Sequence, residues 1–317
     1  MQTKDNQVTG FAQRILGQVR TVVVGKDTTL LWVLAAILAR GHILLEDIPG
    51  VGKTTMALSF AKVLDLKYSR VQFTPDVLPS DVTGYTVLDQ HSGAMHYQPG
   101  AVLCNLFLAD ELNRATSRTQ SALLEAMEEG QVTVDGVSHP LPKPFVVIAT
   151  QNPTGAAGTS LLPDSQMDRF MVRLSLGYPA LQDEISMVMN RQAGNPLMNL
   201  RPLLTRQNLS MLQDQVENTY LGDATVEYIV NLITATRNHT DILRGASPRA
   251  TLSMTALAKA VARLRGRDYV IPGDIREVFV CAIAHRLILS PRAEGQGITA
   301  EQVLRSILQS VPAPKLR

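Results

Sequence analysis

Gly52, Lys53 and Thr54 have the residue types and the order that bind a triphosphate. They follow the apolar stretch 42–46 and precede a segment with helical periodicity. In that setting the loop N–H groups face phosphate oxygens, the lysine reaches the β- and γ-phosphates, and the threonine hydroxyl holds Mg²⁺. The sequence therefore predicts a loop that binds the phosphates of a nucleotide, although a surface turn before a core helix would have the same pattern.

The loop departs from the usual pattern G-x-x-x-x-G-K-[ST] at its first position, where Asp47 replaces glycine. Aspartate is one of the few non-glycine residues that adopt a left-handed backbone, at a cost of about 1–2 kcal/mol. Position 47 lies where strand turns into loop, farther from the phosphates than Gly50 and Gly52. We therefore expect a left-handed Asp47 whose carboxylate points away from the anion.

An acidic pair, Asp110 and Glu111, follows the apolar stretch 106–109. At the end of a buried strand, the aspartate can hold Mg²⁺ through its water shell. The glutamate can polarise the water that attacks the γ-phosphate. One complete candidate strand separates Lys53 from this pair, which suits a single nucleotide site. An ordinary strand followed by an acidic helix start would look similar.

Three further polar residues occupy positions that suit the same chemistry. The candidate strand 145–150 would bring Asn152 to the same sheet edge, where its amide can orient water or contact the γ-phosphate; alone, an Asn-Pro pair is more often a turn. Arg169 precedes the last candidate strand. Arg249 begins a helix just after Ser247, a candidate N-cap. An isolated arginine is usually a solvated surface residue, so only the combination indicates function.

These residues lie at the ends of alternating short apolar strands and helical segments. Such alternation predicts an α/β fold with a mostly parallel sheet covered by helices on both faces. The pattern ends near residue 178, which predicts a nucleotide-binding core at 1–178 and an all-helical domain at 179–317. The five candidate strands are 42–46, 69–73, 105–110, 145–150 and 170–176.

One helix of the C-terminal domain is predicted from apolar residues spaced at i, i+3, i+4 and i+7. This spacing predicts one buried helix face that consists of Val226, Ile229, Val230 and Ile233. A second helix has the same spacing at Leu257, Ala260, Val261 and Leu264 and ends at Gly266.

Composition limits the class of protein. A chain of 317 residues with 45% hydrophobic content can build two domains, and a net charge of +2 argues against a polyanion-coating protein. Cys104 and Cys281 form no CxxC pair, which argues against a cysteine metal site and fits a reducing compartment. The longest strongly apolar run, 30–39, is too short for a membrane span of about 20 residues. We therefore expect a core helix there and a soluble, cytoplasmic protein.

Two stretches outside the alternation, 80–103 and 129–142, predict β-hairpins. The first is centred on the turn His-Ser-Gly. It contains Asp81 and Asp89 but neither lysine nor arginine, so it is poorly suited to a nucleic-acid strand.

Together these elements resemble the AAA+ ATPases, and most closely the MoxR family. The resemblance covers nearly the whole chain and implies an AAA+ αβα core, with the hairpin at 80–103 as a helix-2 insert, followed by a helical lid. The stretches that carry it are 22–30, 41–54, 74–84, 109–132, 149–153, 162–170, 245–252 and 266–275.

The resemblance implies ATP and Mg²⁺ as cofactors and gives each candidate residue a role. Asn152 would be the sensor-1 residue, Arg169 the arginine finger and Arg249 the sensor-2 arginine, in addition to Glu111 as the base. Thr54 and Asp110 would hold the metal. The nucleotide would contact Val24, Gly25, Gly50, Val51, Gly52, Lys53, Thr54 and Thr55. The family is expected to accept aspartate at position 47.

The resemblance also implies a homo-oligomeric ring, a hexamer, with the hairpins facing the pore or the client. ATP hydrolysis would drive chaperone-like remodelling, assembly or maturation of a client protein complex, with a partner that carries a von Willebrand factor A domain. Two alternatives belong to the same branch. A nucleic-acid motor or loader predicts basic and aromatic pore hairpins, and the charges at 80–103 count against it. A chelatase-type motor subunit stays open, because gene neighbourhood would be needed to distinguish it.

Overall fold

The computed structural model describes residues 7–91, 93–152, 162–192 and 194–315. Its helices are α1 (Gln7–Arg20), α2 (Asp27–Leu38), α3 (Lys53–Val63), α4 (Pro79–Thr83), α5 (Ser117–Glu129), α6 (Asp164–Met167), α7 (Leu181–Gln192), α8 (Pro196–Asn199), α9 (Arg206–Glu217), α10 (Asp223–Arg237), α11 (Pro248–Leu264), α12 (Pro272–Ile283), α13 (Pro291–Gly295) and α14 (Ala300–Ser310). Its strands are β1 (Ile43–Glu46), β2 (Tyr68–Gln72), β3 (Gly84–Leu88), β4 (Met95–Pro99), β5 (Leu106–Asp110), β6 (Gln131–Val134), β7 (Val137–Pro140), β8 (Val146–Gln151), β9 (Val172–Leu174), β10 (Ile242–Arg244) and β11 (Ile288–Leu289).

A five-stranded parallel sheet forms the centre of the N-terminal part, with strand order β2-β5-β8-β1-β9. The five strands predicted from the sequence are those of this sheet, so the expected α/β core is confirmed. Because parallel strands all end at the same edge, the residues that follow β1, β5 and β8 are brought together there.

Alternate residues of the central strands face different hydrophobic clusters. Leu106 and Leu108 of β5 belong to a cluster that includes α1, α2, α3 and the lid helices, whereas Phe107 packs on the opposite face with Leu123 and Leu124 of α5. This is the period-2 burial of a sheet covered on both sides. The αβα layering that the sequence predicts is therefore present.

The apolar run at 30–39 forms most of α2, and this is the core helix that the sequence predicts. Every residue from Trp32 to Leu38 is buried, including the single tryptophan. Within the described ranges, no helix combines the length and apolarity that crossing a bilayer would require.

The C-terminal part contains the helical lid that the sequence predicts, formed by α9 to α14, and in addition a pair of short strands. β10 and β11 pair antiparallel as a short ribbon. Strands of two and three residues are too short to show a period-2 pattern, so no local signal in the sequence indicates them.

The buried face of α10 also differs from the predicted one. Ile229 and Ile233 are buried as expected, but Val226 and Val230 are exposed, and Tyr228 and Leu232 are buried instead. The apolar residues of this helix extend over a wide arc, and tertiary packing selects which part of the arc faces the core.

Both predicted hairpins are present. β3 pairs antiparallel with β4, and β6 pairs antiparallel with β7. The rings of Tyr97 in β4 and His139 in β7 stack with their centroids 3.6 Å apart. This contact joins the two hairpins side by side.

Candidate active site

The loop between β1 and α3 has the backbone of a phosphate-binding loop. α3 begins at Lys53, and the preceding Gly52 is left-handed with φ 98°. Gly50 also has positive φ, 86°. Any other residue would be strained at these angles. The N-terminus of an eleven-residue helix therefore faces the space above the loop, and its free N–H groups favour an anion there.

Lys53 lies beneath this loop and is buried. Its Nζ donates hydrogen bonds to the carbonyls of Asp47, at 2.7 Å, and Ile48, at 3.0 Å. Burial lowers the pKa of Lys53, while the negative charges of Asp47, Asp110 and Glu111 act to raise it. The lysine is thus a buried cation placed between the loop and the acidic pair.

Asp47 has a different conformation from the one that the sequence predicted. It is not among the non-glycine residues with positive φ, so the prediction of a left-handed Asp47 is wrong. Its N–H bonds to the Gln151 carbonyl at 3.1 Å and continues the β1–β8 ladder, which keeps the backbone strand-like. The carboxylate is nevertheless turned away from the loop. It accepts hydrogen bonds from Ser175 Oγ and from the backbone N–H groups of Leu176 and Gly177.

The acidic pair at the end of β5 is held by a defined set of partners. One carboxylate oxygen of Asp110 accepts a hydrogen bond from Thr150 Oγ1 at 2.7 Å, and the other accepts from Arg70 Nη2 at 2.6 Å. Glu111 has a left-handed backbone, with φ 55°. Its N–H donates to Thr150 Oγ1 at 2.8 Å, and its carboxylate pairs with Arg114 at 2.8 Å. Thr150 therefore fixes both acids at one sheet edge.

Two adjoining cavities meet at the phosphate loop. One, of about 330 Å³, is lined by most of the predicted phosphate-binding residues and by two of the four predicted catalytic residues, Glu111 and Asn152. Its lining includes Gly50, Gly52, Lys53, Thr54, Thr55, Arg70, Asp110, Glu111 and Asn152. The other, of about 370 Å³, shares Gly50, Gly52 and Thr55 and is lined by Val51 and by Val22, Val23, Val24, Tyr178 and Met187. Its apolar lining suits a purine ring next to the triphosphate position.

Gly25 lies beside the second cavity, packed against α7. A β-carbon built at position 25 would lie 2.0 Å from Asp183 Oδ2, and the residue has φ 73°. A larger residue would have to displace the Asp183 side chain and would be strained at this φ. Gly25 thus packs closely against Asp183, while Val24 lines the cavity itself.

The structure does not place Arg169 or Arg249 among the residues that line these cavities. Both arginines instead form ion pairs with Glu128, in the last turn of α5. Glu128 thus brings the two arginines together, and neither of them lines the two cavities at the phosphate loop.

Comparison with known proteins gives two matched family models. Residues 42–172 match the ATPase family associated with various cellular activities (AAA), and residues 234–307 match the AAA lid domain. The chaperone MoxR1 of Mycobacterium tuberculosis is 38% identical, over 96% of this chain and 82% of that protein. The chain belongs to the MoxR family of AAA+ ATPases.

Two further matches cover almost the entire chain. The uncharacterized protein YeaC of Bacillus subtilis is 44% identical over 94% of this chain and 93% of its own length. A crystal structure of a candidate ATPase from Cytophaga hutchinsonii superimposes with a TM-score of 0.92 at 37% identity, covering 98% of this chain and 97% of that one. The AAA+ core with a helical lid, ATPase activity and nucleotide binding follow from this membership.

The donor set of the site fits Mg²⁺. The Thr54 hydroxyl and the Asp110 carboxylate border one cavity, and Mg²⁺ prefers oxygen ligands of this kind. Within the described part of the chain, no group of three or more His, Cys, Asp or Glu side chains could hold a metal ion. A metal held by Thr54 and Asp110 would therefore depend on phosphate and water oxygens for its other ligands, as is usual in nucleotide sites.

Arg70 is a residue of this MoxR-family site that the sequence analysis missed. It projects from β2 and donates to Asp110 Oδ2 through both Nη2 and Nε. Nη2 also donates to Gln72 at 3.0 Å, two residues along the same strand face. The only local signal was this pair of polar residues at period-2 spacing in a candidate strand. Its importance depends on the β2–β5 pairing, which sets Gln72 opposite Asp110.

Replacing Arg70 with alanine is expected to lower the Mg²⁺ concentration needed for half-maximal ATP binding by up to about fivefold. The ion pair occupies an oxygen that a metal or its water shell would use. Because the arginine of the pair is 44% exposed, the pair contributes about 1 kcal/mol or less. The measurement is a Mg²⁺ titration of a fluorescent ATP analogue. Arg118→Ala, which removes an exposed arginine from α5, controls for net charge. A higher Mg²⁺ requirement in Arg70→Ala would contradict this prediction.

Replacing Asp47 with glycine is expected to leave ATP affinity and hydrolysis within a few-fold of the original, because the carboxylate contacts residues 175–177 and not the loop. Stability should fall instead. Two backbone N–H groups lose their acceptor, which costs about 1–3 kcal/mol each. We expect the free energy of unfolding in urea to decrease by about 2–6 kcal/mol, and by less in Asp47→Asn. Loss of ATP affinity in a folded Asp47→Gly protein would reveal a direct role for the carboxylate.

Proposed function

We propose that this MoxR-family ATPase binds ATP with Mg²⁺ at the site above and uses hydrolysis to remodel or assemble a client protein complex. The observation that carries the proposal is the convergence of Lys53, Glu111 and Asn152 on one cavity at the carboxyl edge of the sheet. Asp110, the proposed metal-binding acid, lines the same cavity. A lysine for the phosphates, an acid for the metal, a base and a polar group that orients water are the parts that phosphoryl transfer to water requires.

In this proposal each residue acts by position and charge. Lys53 leaves the carbonyls of the loop and binds the β- and γ-phosphates. Glu111 accepts a proton from the attacking water, and Asn152 orients that water. The ion pair with Arg114 keeps the Glu111 carboxylate to one side, so it must be released before Glu111 can act. Thr54 and Asp110 would hold Mg²⁺, which would neutralise part of the phosphate charge.

Arg169 and Arg249 act on the nucleotide of a neighbouring subunit in a homo-oligomeric ring. Both arginines pair with Glu128 and neither lines the phosphate cavity, which supports action in trans, since a cation acting in cis would border that cavity. A hexamer and a partner with a von Willebrand factor A domain are proposed from the family resemblance. We also propose 1–178 and 179–317 as the core and the lid.

The client is proposed to be a protein. The β3–β4 hairpin exposes Tyr85, Val87, Leu88 and Met95, and the β6–β7 hairpin exposes Val137. Exposed apolar side chains on neighbouring hairpins favour a polypeptide, whereas a nucleic-acid strand would require lysine or arginine. The name of MoxR1, a chaperone, is consistent with this choice.

The test is an affinity capture in ATP with Glu111→Gln, which should bind nucleotide without turning it over, followed by mass spectrometry. We expect proteins that are absent from a parallel capture with Lys53→Ala and reduced when Met95 is replaced by serine. Captured protein that is independent of both changes would contradict the proposal. Stimulation of ATP hydrolysis by single-stranded DNA or RNA, but not by any captured protein, would favour the nucleic-acid alternative.

A further inference from the structure

Glu128 divides its carboxylate between the two arginines that are proposed to act in trans. Its Oε2 pairs with Arg169 Nη2 at 3.1 Å, and its Oε1 accepts a hydrogen bond from Arg249 Nη2. Arg169 comes from the segment before β9, and Arg249 from the first turn of the lid helix α11. One side chain of α5 thus connects an arginine of the core with an arginine of the lid.

A second carboxylate fixes the chain segments from which these arginines project. Asp168 accepts hydrogen bonds from Ser247 Oγ at 3.1 and 2.9 Å, and from Arg286 Nη1 at 3.1 Å. Arg286 is buried and also donates to the Phe170 carbonyl at 2.7 Å. Burial lowers its pKa to about 10, opposed by the charge of Asp168, so Arg286 remains charged at neutral pH. Asp168 adjoins Arg169, and Ser247 is the N-cap of the helix that carries Arg249.

Stability is a poor explanation for the Glu128 contacts. The side chains of Arg169, Glu128 and Arg249 are 29%, 37% and 42% exposed, and ion pairs at that exposure contribute little to folding. Their effect on orientation is larger. Two converging guanidinium groups repel each other, and a carboxylate with one oxygen for each removes that repulsion. A phosphate offers oxygens in a similar arrangement, so side chains converged on a carboxylate are already arranged for a phosphate.

We propose that Glu128 is a positioning residue, which holds Arg169 and Arg249 as a converged pair until the γ-phosphate of a neighbouring subunit takes its place between them. This inference rests on the proposed action of the two arginines in trans. The hydrogen bonds among Asp168, Ser247 and Arg286 fix the chain segments that carry the two arginines. Glu128 orients their guanidinium groups. The pair therefore approaches the neighbour as one unit, and the entropic cost of ordering two long side chains is met before the phosphate arrives.

Glu128→Ala is expected to bind ATP in its own loop with unchanged affinity and to lower kcat by about ten- to a hundredfold, the usual effect of a misplaced catalytic group. Glu128→Gln, which keeps the shape but not the charge, should show most of this loss, and Glu128→Asp should recover part of it. Glu129→Ala removes the same charge from the next position of α5, where the described residues show no ion pair. This control should remain within twofold of the original.

Assembly provides a readout that does not depend on turnover. In a Glu111→Gln background, the protein concentration for half-maximal ATP-dependent assembly, measured by mass photometry, should rise several-fold when Glu128→Ala is added. Assembly without nucleotide should not change. An equal loss of assembly with and without ATP would mean that Glu128 acts as an ordinary interface residue and would overturn the inference.

Mixing experiments identify the side of the interface on which Glu128 acts. Glu128→Ala mixed with Lys53→Ala should recover ATPase activity, because some interfaces then combine an intact loop with an intact arginine pair. Glu128→Ala mixed with Arg169→Ala should not recover, since both lack a competent pair. Recovery in the second mixture would overturn the inference about Glu128 but would leave the proposed action of the arginines in trans intact. If Arg169→Ala and Lys53→Ala fail to complement each other, action in trans is wrong, and the role of Glu128 falls with it.

Discussion

Glu111→Gln is expected to bind ATP normally while its turnover falls by about 10²–10⁴, the usual contribution of a general base. Glutamine has nearly the same shape, and its amide oxygen can still accept a hydrogen bond from Arg114, but it cannot take a proton from water. The left-handed backbone and the bond from its N–H to Thr150 do not involve the side chain and should persist. Single-turnover hydrolysis, together with nucleotide affinity from a fluorescent analogue, separates the two effects.

The matched control for this change is Glu125→Gln, an exposed acid on α5, which should hydrolyse ATP at the original rate. If Glu111→Gln loses ATP binding together with turnover, the side chain has a structural role and the assignment as base is wrong. A turnover within a few-fold of the original would also rule out the assignment, because no base would have been removed.

Arg169→Ala is expected to bind ATP but to hydrolyse it about 10³–10⁵ times more slowly, which corresponds to roughly 4–7 kcal/mol of barrier. The arginine would supply the charge that stabilises the γ-phosphate of the neighbouring subunit in the transition state. Lys53→Ala should be inactive for a different reason, since it cannot bind nucleotide. Rings made from both proteins contain interfaces with an intact loop facing an intact arginine, so steady-state ATPase activity should partly return.

An arginine that only forms a surface ion pair would give near-normal activity in the single variant. Native mass spectrometry should confirm that mixed assemblies form before the activity is interpreted. Confirmed mixed rings without any recovery would argue for action in cis, and an active monomer would exclude the ring as the functional unit. Arg244→Ala, which removes an exposed arginine that pairs with Asp164, tests whether loss of any arginine in this region has the same effect.

Local patterns in the sequence were sufficient to predict the central sheet and the phosphate loop. Apolar strands, glycines at 50 and 52 and a helix start at Lys53 are all encoded within a dozen residues, and parallel pairing then brings the end of β5 to the end of β8. The convergence of Asp110, Glu111 and Asn152 could be predicted because it needs only the rule that parallel strands end together.

Features that depend on distant partners could not be predicted in the same way. The carboxylate of Asp47 binds backbone groups of residues 175–177, and no local pattern indicates that contact. A left-handed conformation was inferred at Asp47 because the family pattern has glycine there, whereas the ladder to β8 keeps the chain strand-like. Arg70 and Glu128 resembled ordinary surface charges until the fold placed an acid beside the first and two arginines beside the second.

The course of α5 has a thermodynamic consequence. Two residues after Glu128 the chain passes through the left-handed Gly130 and into the hairpin whose His139 stacks on Tyr97. If a client binds the joined hairpins and shifts the last turn of α5, and the two arginines act in trans as proposed, client binding would change the affinity for ATP at the neighbouring subunit. Coupling free energies are reciprocal, so ATP must then change client affinity by the same factor. Two titrations on Glu111→Gln rings, one of client at fixed ATP and one of ATP at fixed client, should therefore give the same coupling free energy.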